Sequence, residues 1–167
     1  MIDKLRKYIE SNFVMEEVCL ESSMLYSEDF NIGNITNKKC RNSNIKDFID
    51  DNKEKYSDFQ TTLFKMIDDR NLKDSDVYNK VHIDRRLFSK IRSDSNYHPS
   101  KETIILLGLS LELSESEIEK LLDSASYSLP KNNYYDLIIR FCFINKIYKL
   151  TEVNDLLDEY KCKLFSY

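Results

Sequence analysis

An all-α fold is predicted for this 167-residue chain, with five short helices at its centre, a helix and linker before them and a helical extension after them. Three observations predict it. Glycine and proline number only two each, whereas all-β folds place many of both in their turns. Apolar residues recur at three- and four-residue spacing along most of the length. Ser, Thr or Asp repeatedly stands just ahead of those apolar runs, where a helix needs a side-chain oxygen to accept from its free N–H groups. Hydrophobic content of 41% and charged content of 32% is the balance of a globular chain rather than a disordered one.

The elements follow in order. Residues 1–25 read as a helix, with Ile2, Leu5, Tyr8 and Ile9 and then Phe13, Val14 and Val18 on one face. Residues 26–46 lose that period; Gly33, several Asn and the basic group Lys38, Lys39 and Arg41 make an irregular linker, and 1–56 is taken as one region. The central domain is 57–128. Its first helix spans about 58–70 and buries Phe59, Leu63, Met66 and Ile67. The second, 74–81, takes Asp74 as N-cap and turns Val77 and Val81 inward, and a tight turn follows at His82-Ile83. The third, 84–92, is capped by Asp84 and packs Leu87, Phe88 and Ile91. After a polar loop ending at Pro99, Ser100 caps the fourth helix, 101–111, with Gly108 inside it for close packing. Ser114 and Glu117 form a capping box that opens the fifth, whose Ile118, Leu121 and Leu122 face inward. The extension, 129–167, holds an aromatic-rich helix from about residue 132 and a last helix capped by Thr151; its end at Leu164, Phe165 and Tyr167 is expected to tuck against a core.

Charge is distributed unevenly. The chain carries a net −4, and both flanks are acidic. Between residues 85 and 101, however, Arg85, Arg86, Lys90, Arg92 and Lys101 face Asp94 alone, which is +4 in one short stretch. The cysteines, Cys19, Cys40, Cys142 and Cys162, form no CxxC pair, and no apolar run of membrane length or signal peptide stands out, so free thiols in a cytoplasmic setting are expected. No Gly-rich phosphate loop, nucleophile motif or metal-ligand spacing occurs, so no catalytic residue, metal or cofactor is predicted and the chain is not expected to be an enzyme. Acidic residues such as Asp68-Asp69 and Asp155, Asp158 and Glu159 read as solvated helix faces.

The run from Leu72 through Val77, Tyr78, Val81, His82, Ile83, Asp84, Phe88 and Ser89 to Arg92 resembles the helix-turn-helix of the lambda-repressor-like, XRE-type family. The family's next two helices match Ser100–Leu111 and Ser114–Ala125, so the resemblance covers about 57–128. The longer run Asp84-Arg-Arg-Leu-Phe-Ser-Lys-Ile-Arg-Ser, with Tyr97-His-Pro-Ser-Lys and Asp136-Leu-Ile-Ile, resembles a narrower group of bacterial proteins that carry a helical C-terminal extension. Three departures stand out. Tyr78 replaces the family's small residue, His82 its turn glycine, and Asp74 the Gln that opens helix two and bonds a phosphate.

The resemblance implies a sequence-specific, double-stranded-DNA-binding regulator of transcription, with 84–92 as recognition helix. Arg85 and Arg86 would read base edges, Ser89 and Lys90 would reach a base or phosphate, Arg92 and Lys101 would hold phosphates, and Tyr97 would lean on a sugar. A homodimer is expected, because one such domain reads a half-site, with the C-terminal helices as its interface. The alternative is a protein-interaction adaptor whose helix-turn-helix does not bind DNA.

Overall fold

The computed structural model describes residues 1–13 and 58–166, and among them are eight helices and no strand. They are α1 (Ile2–Asn12), α2 (Phe59–Asp69), α3 (Asp74–Lys80), α4 (Arg85–Ser93), α5 (Lys101–Ser110), α6 (Glu115–Ser124), α7 (Tyr134–Ile144) and α8 (Leu150–Glu159). Predictions made for 14–57, including Val14, Val18, Cys19, Gly33, Lys38, Lys39, Cys40 and Arg41, and for Tyr167, lie outside the described residues.

Helix starts follow local capping chemistry. Asp58 accepts from the Thr61 N–H, Asp84 from Arg86, Ser100 from Thr103 and Asn133 from Asp136, and Ser114 and Glu117 close the expected capping box. Two expected caps are corrected. Asp74 is already inside α3, with Lys73 at the N-cap, because its carboxylate turns away to a guanidinium. Thr151 lies inside α8, with Lys149 at the N-cap, because helix entry two residues earlier brings Leu150 into the core beside Val153 and Leu157.

Six of the eight described helix ends share one device. Asn71, His82, Glu112, Ser126, Lys146 and Lys161 each have φ between 51° and 58°, the left-handed conformation in which a helix stops. The next residue's N–H then reaches back five positions, at 2.8 to 3.3 Å: Leu72 to Ile67, Ile83 to Tyr78, Leu113 to Gly108, Tyr127 to Leu122, Ile147 to Cys142 and Cys162 to Leu157. The returning residue also anchors the turn, and Ile83, Leu113 and Ile147 are buried. Three connections, 70–73, 81–84 and 111–114, have the same four-residue form, so α2–α3, α3–α4 and α5–α6 are built alike.

Helix α5 lies at the centre. Ile104, Ile105, Leu107, Gly108 and Leu109 are all buried, which leaves this helix without a polar face along its middle. It packs on α3 and α6, α2 packs on α6, and α3 on α4. A Cβ on Gly108 would lie 2.5 Å from Ile118 Cδ1 and 3.1 Å from Phe143 Cζ, so the missing side chain lets α5 approach its neighbours. The predicted core residues Leu63, Ile67, Val77, Phe88, Ile91, Ile104, Leu107 and Leu121 are buried, whereas Leu87 is only half-buried at the edge of α4.

The extension is bolted to this core. Helix α7 packs on α6, α1 and α8. Lys101, the first residue of α5, meets Asp136 of α7 at 2.6 Å, and that carboxylate is 3% exposed. Arg140 of α7 pairs with Glu115 and Glu119 of α6 and donates to the Leu129 carbonyl. The Tyr148 hydroxyl donates to the Leu113 carbonyl at 3.1 Å. Phe165 is buried, and its backbone N–H and C=O both bond the Asn154 amide, while Leu164 stays exposed. Cys142 and Cys162 are free thiols, and burial pushes the Cys142 thiol up to about 12.

Helix α1 is shorter than the predicted 1–25. It stops at Asn12, whose side-chain amide donates to the Tyr8 carbonyl, and Phe13 is extended and stacks on Tyr134 at 4.5 Å. Leu5 and Ile9 face α7, with Tyr8 against Phe141, but Ile2, expected inward, is exposed. No helix among the described residues is long and apolar enough to cross a membrane.

Three outcomes follow from these contacts. The left-handed conformation costs a residue with a Cβ about 1–2 kcal/mol, part of which glycine returns through its freer unfolded chain. Lys146→Gly should therefore raise stability by about 0.5–1 kcal/mol, read from urea unfolding midpoints. Removing one partner of the buried Lys101–Asp136 pair strands a charge. Lys101→Ala should cost about 3 kcal/mol, and the double change Lys101→Met with Asp136→Leu should recover most of it. The Glu117 carboxyl is held down from 4.5 to about 2, chiefly by the Ser114 N–H and then by Arg70, against the opposing effect of burial. A depressed acid contributes stability that is complete above 4.5 and lost as pH falls toward about 2. Within that window, Glu117→Gln should flatten the acid limb of a pH–stability curve; a limb as steep as that of the original chain would contradict the assignment.

Candidate nucleic-acid interface

The position of α4 is set by the turn before it. Val81 is buried, His82 takes φ 56°, and the Ile83 N–H bonds the Tyr78 carbonyl at 2.9 Å. His82 thus adopts a left-handed backbone that a glycine would adopt more easily. The chain reverses within four residues, and Asp84 caps α4 by accepting from the Arg86 N–H at 2.6 Å. Phe88 and Ile91 then face the core. The Tyr78 ring lies 5.6 Å from that of Phe88, filling the α3–α4 crossing with an aromatic contact where a small residue would leave the helices closer. At the far end, the Gln60 amide of α2 donates to the Ile91 and Arg92 carbonyls at 2.7 and 2.6 Å, satisfying acceptors that the end of α4 leaves open.

The remaining face of α4 is polar and exposed: Arg85, Arg86, Ser89, Lys90 and Arg92. Helical spacing places Arg85 below Ser89, and Arg86 below Lys90, on adjoining rows. Among the described residues, the side chains of Arg85 and Arg86 have no ion-pair or hydrogen-bond partner, so both guanidinium groups, five donors each, are open to a ligand. Lys90 is held in place, its ammonium 4.4 Å from the centre of the Tyr97 ring, and Tyr97 itself is half-buried. The loop carrying Tyr97 is fixed by Asp94, whose carboxylate accepts from the Asn96 N–H and whose carbonyl accepts from Tyr97.

Two of the expected phosphate contacts are engaged elsewhere. Arg92 pairs with Asp74 at 2.6 Å and rests 4.0 Å from the centre of the Phe64 ring. Lys101 points to Asp136, across to α7, and three quarters of its side chain is covered. The seven residues singled out in the sequence therefore divide. Arg85, Arg86, Ser89 and Lys90 form one exposed surface beside Tyr97, Arg92 stands at its edge with its charge paired, and Lys101 serves the core. Sequence reasoning sets Asp74 at a phosphate-facing position without pairing it to Arg92, and it assigns neither Phe64 nor Gln60 to this surface. Asp74, Phe64 and Gln60 lie 18, 28 and 32 residues from Arg92 in the chain, and no local pattern marks such distant pairings.

Other concavities offer less. A cleft of about 420 Å³ beside α3 is lined by Arg70, Asp76, Lys80 and Ser110, but Arg70 is paired with Glu117 and Lys80 with Glu112. A shallow apolar cleft of about 560 Å³ is walled by Phe13, Tyr134, Tyr135 and Cys162. No group of three or more His, Cys, Asp or Glu suited to a metal ion occurs among the described residues. Neither a protein-family model, nor a curated protein, nor a solved structure matches this chain.

Proposed function

We propose that α2–α6 form a five-helix helix-turn-helix domain of the lambda-repressor-like kind, and that the chain is a double-stranded-DNA-binding regulator that reads its site through α4. The observation that carries this reading is the exposed outer face of α4, where the Arg85 and Arg86 side chains have no partner among the described residues, at the start of a helix held by a four-residue turn. A helix entering the major groove presents its first residues to base edges. Guanidinium groups at those positions match the paired acceptors of guanine. Lys90, steadied on Tyr97, lies one turn further along and meets the phosphate backbone. Lys101 has no part in this contact. A dimer would set two α4 helices about 34 Å apart, one turn of the duplex.

A second reading, a protein-docking module, draws on the opposite chemistry. Tyr134 is exposed and sits in an aromatic row between Phe13 and Tyr160, with ring centres 4.5 and 5.6 Å apart. This row borders the apolar cleft at Tyr135 and Cys162.

Mobility shifts with duplex DNA from upstream of the chain's own operon separate the two. The purified chain should retard the duplex at low salt and release it steeply as salt rises. Arg85→Ala and Arg86→Ala should each weaken binding by about 5- to 150-fold, the equivalent of one lost guanine contact. If neither substitution alters retardation, or if no duplex is retarded at low salt, the DNA reading fails and the docking reading takes its place.

A further inference from the structure

Asp74 and Arg92 meet at 2.6 Å on the solvent side of the α3–α4 pair, with 37% and 49% of their side chains exposed. Arg92 is unusually well held for a surface arginine. Its guanidinium carbon lies 4.0 Å from the centre of the Phe64 ring, its backbone carbonyl accepts from Gln60, and one terminal nitrogen meets Asp74. A guanidinium fixed in this way is prepared for an oxyanion, since carboxylate and phosphate offer it the same fork of oxygen acceptors. The oxyanion it holds belongs to the protein.

We propose that Asp74 is an internal stand-in for a DNA phosphate: it occupies Arg92 and so sets how tightly, and with what salt dependence, the α4 surface binds duplex DNA. This rests on the reading of α4 as the DNA-facing helix. With the pair intact, the edge of the surface contributes no net charge, and binding depends on Arg85, Arg86 and Lys90. A phosphate that approaches Arg92 competes with the carboxylate for its donors and meets a like charge as it does so. Asp74 thereby keeps affinity for arbitrary sequence low and leaves discrimination to the two free arginines.

The charge arithmetic gives opposite signs for the two halves of the pair. Asp74→Asn removes a negative charge and frees a cation for one more phosphate. Arg92→Ala leaves an unpaired carboxylate facing the duplex. The double substitution restores neutrality. Each added phosphate contact steepens the slope of log affinity against log salt by about 0.9, which is about eightfold in affinity at 0.1 M salt.

The test is a fluorescence-anisotropy titration of the full chain and its three variants against a labelled mixed-sequence duplex, repeated over a series of salt concentrations. Circular-dichroism melts restrict the comparison to folded chains. Asp74→Asn should bind about eightfold more tightly with a slope steeper by about one, Arg92→Ala should bind more weakly, and the double variant should return toward the original chain. A gain with Asp74→Asn supports the proposal even where the original chain binds below detection. If the original chain binds and Asp74→Asn binds no better, or if both single variants weaken binding alike, the pair is only a brace and the proposal falls while the DNA reading stands. If no variant binds at low salt, both fall.

Discussion

The direction in which α4 points depends on the backbone of His82. With φ at 56°, the chain leaves α3, forms its two returning hydrogen bonds and enters α4 within four residues. A right-handed conformation at that position would extend α3 and carry Asp84 away from its capping place. Ile83 fixes the turn from below, because its side chain is buried while its N–H closes the ring to Tyr78. Five further helix ends use the same arrangement with Asn, Glu, Ser or Lys in the left-handed position. Glycine, the usual occupant, is used at none of them. The two glycines of the chain are elsewhere, and Gly108 answers a need for close helix contact rather than for backbone freedom. The returning hydrogen bonds of each turn, joined at Ile83, Leu113 and Ile147 by a buried apolar anchor, therefore outweigh a backbone cost of about 1–2 kcal/mol.

Electrostatics then divides the cations of the central region by what lies opposite them. Five basic residues between 85 and 101 give the sequence its positive stretch. Folding leaves two of them open, steadies one on an aromatic ring, pairs one at the surface and takes one toward the interior. The effective charge of the outer face of α4 is smaller than the sequence sum. The acidic faces of α6 and α8 do not enter it, because their carboxylates project from other elements. The α5–α6 turn has the same form as the α3–α4 turn, yet α6 begins with Glu115 and Glu117, which would repel a phosphate backbone. Charge, rather than turn geometry, distinguishes the start of α4 from that of α6.

Much of the fold is legible in the sequence because helix starts are local. Ser100, the Ser114–Glu117 box and Asp84 each act within three residues of themselves, and the apolar spacing of Leu63, Ile67, Val77, Phe88 and Ile91 identifies the buried faces. The end of α1 is not legible, since Phe13 and the residues after it keep a helical spacing of apolar side chains. What stops the helix is a bond from the Asn12 side chain and the stacking of Phe13 on an aromatic ring some 120 residues later. Nor do the left-handed positions at Glu112, Lys146 and Lys161 announce themselves, for these residue types carry no such preference. At the candidate site, the exposure of Arg85 and Arg86 follows from helical phase, whereas the fates of Arg92 and Lys101 depend on carboxylates in other helices. A charged residue read without its partner looks available when it is not.

The ties between α7 and the centre of the molecule carry a consequence for how the extension works. Lys101–Asp136, the Arg140 fork and the Tyr148–Leu113 bond join it to both α5 and α6, so it is no tethered appendage with a range of reach. Anything that seats on α7 or α8 acquires a set bearing and distance from α4. Two cargoes held by this chain would be spaced by its skeleton, in the manner of a gauge block rather than a leash.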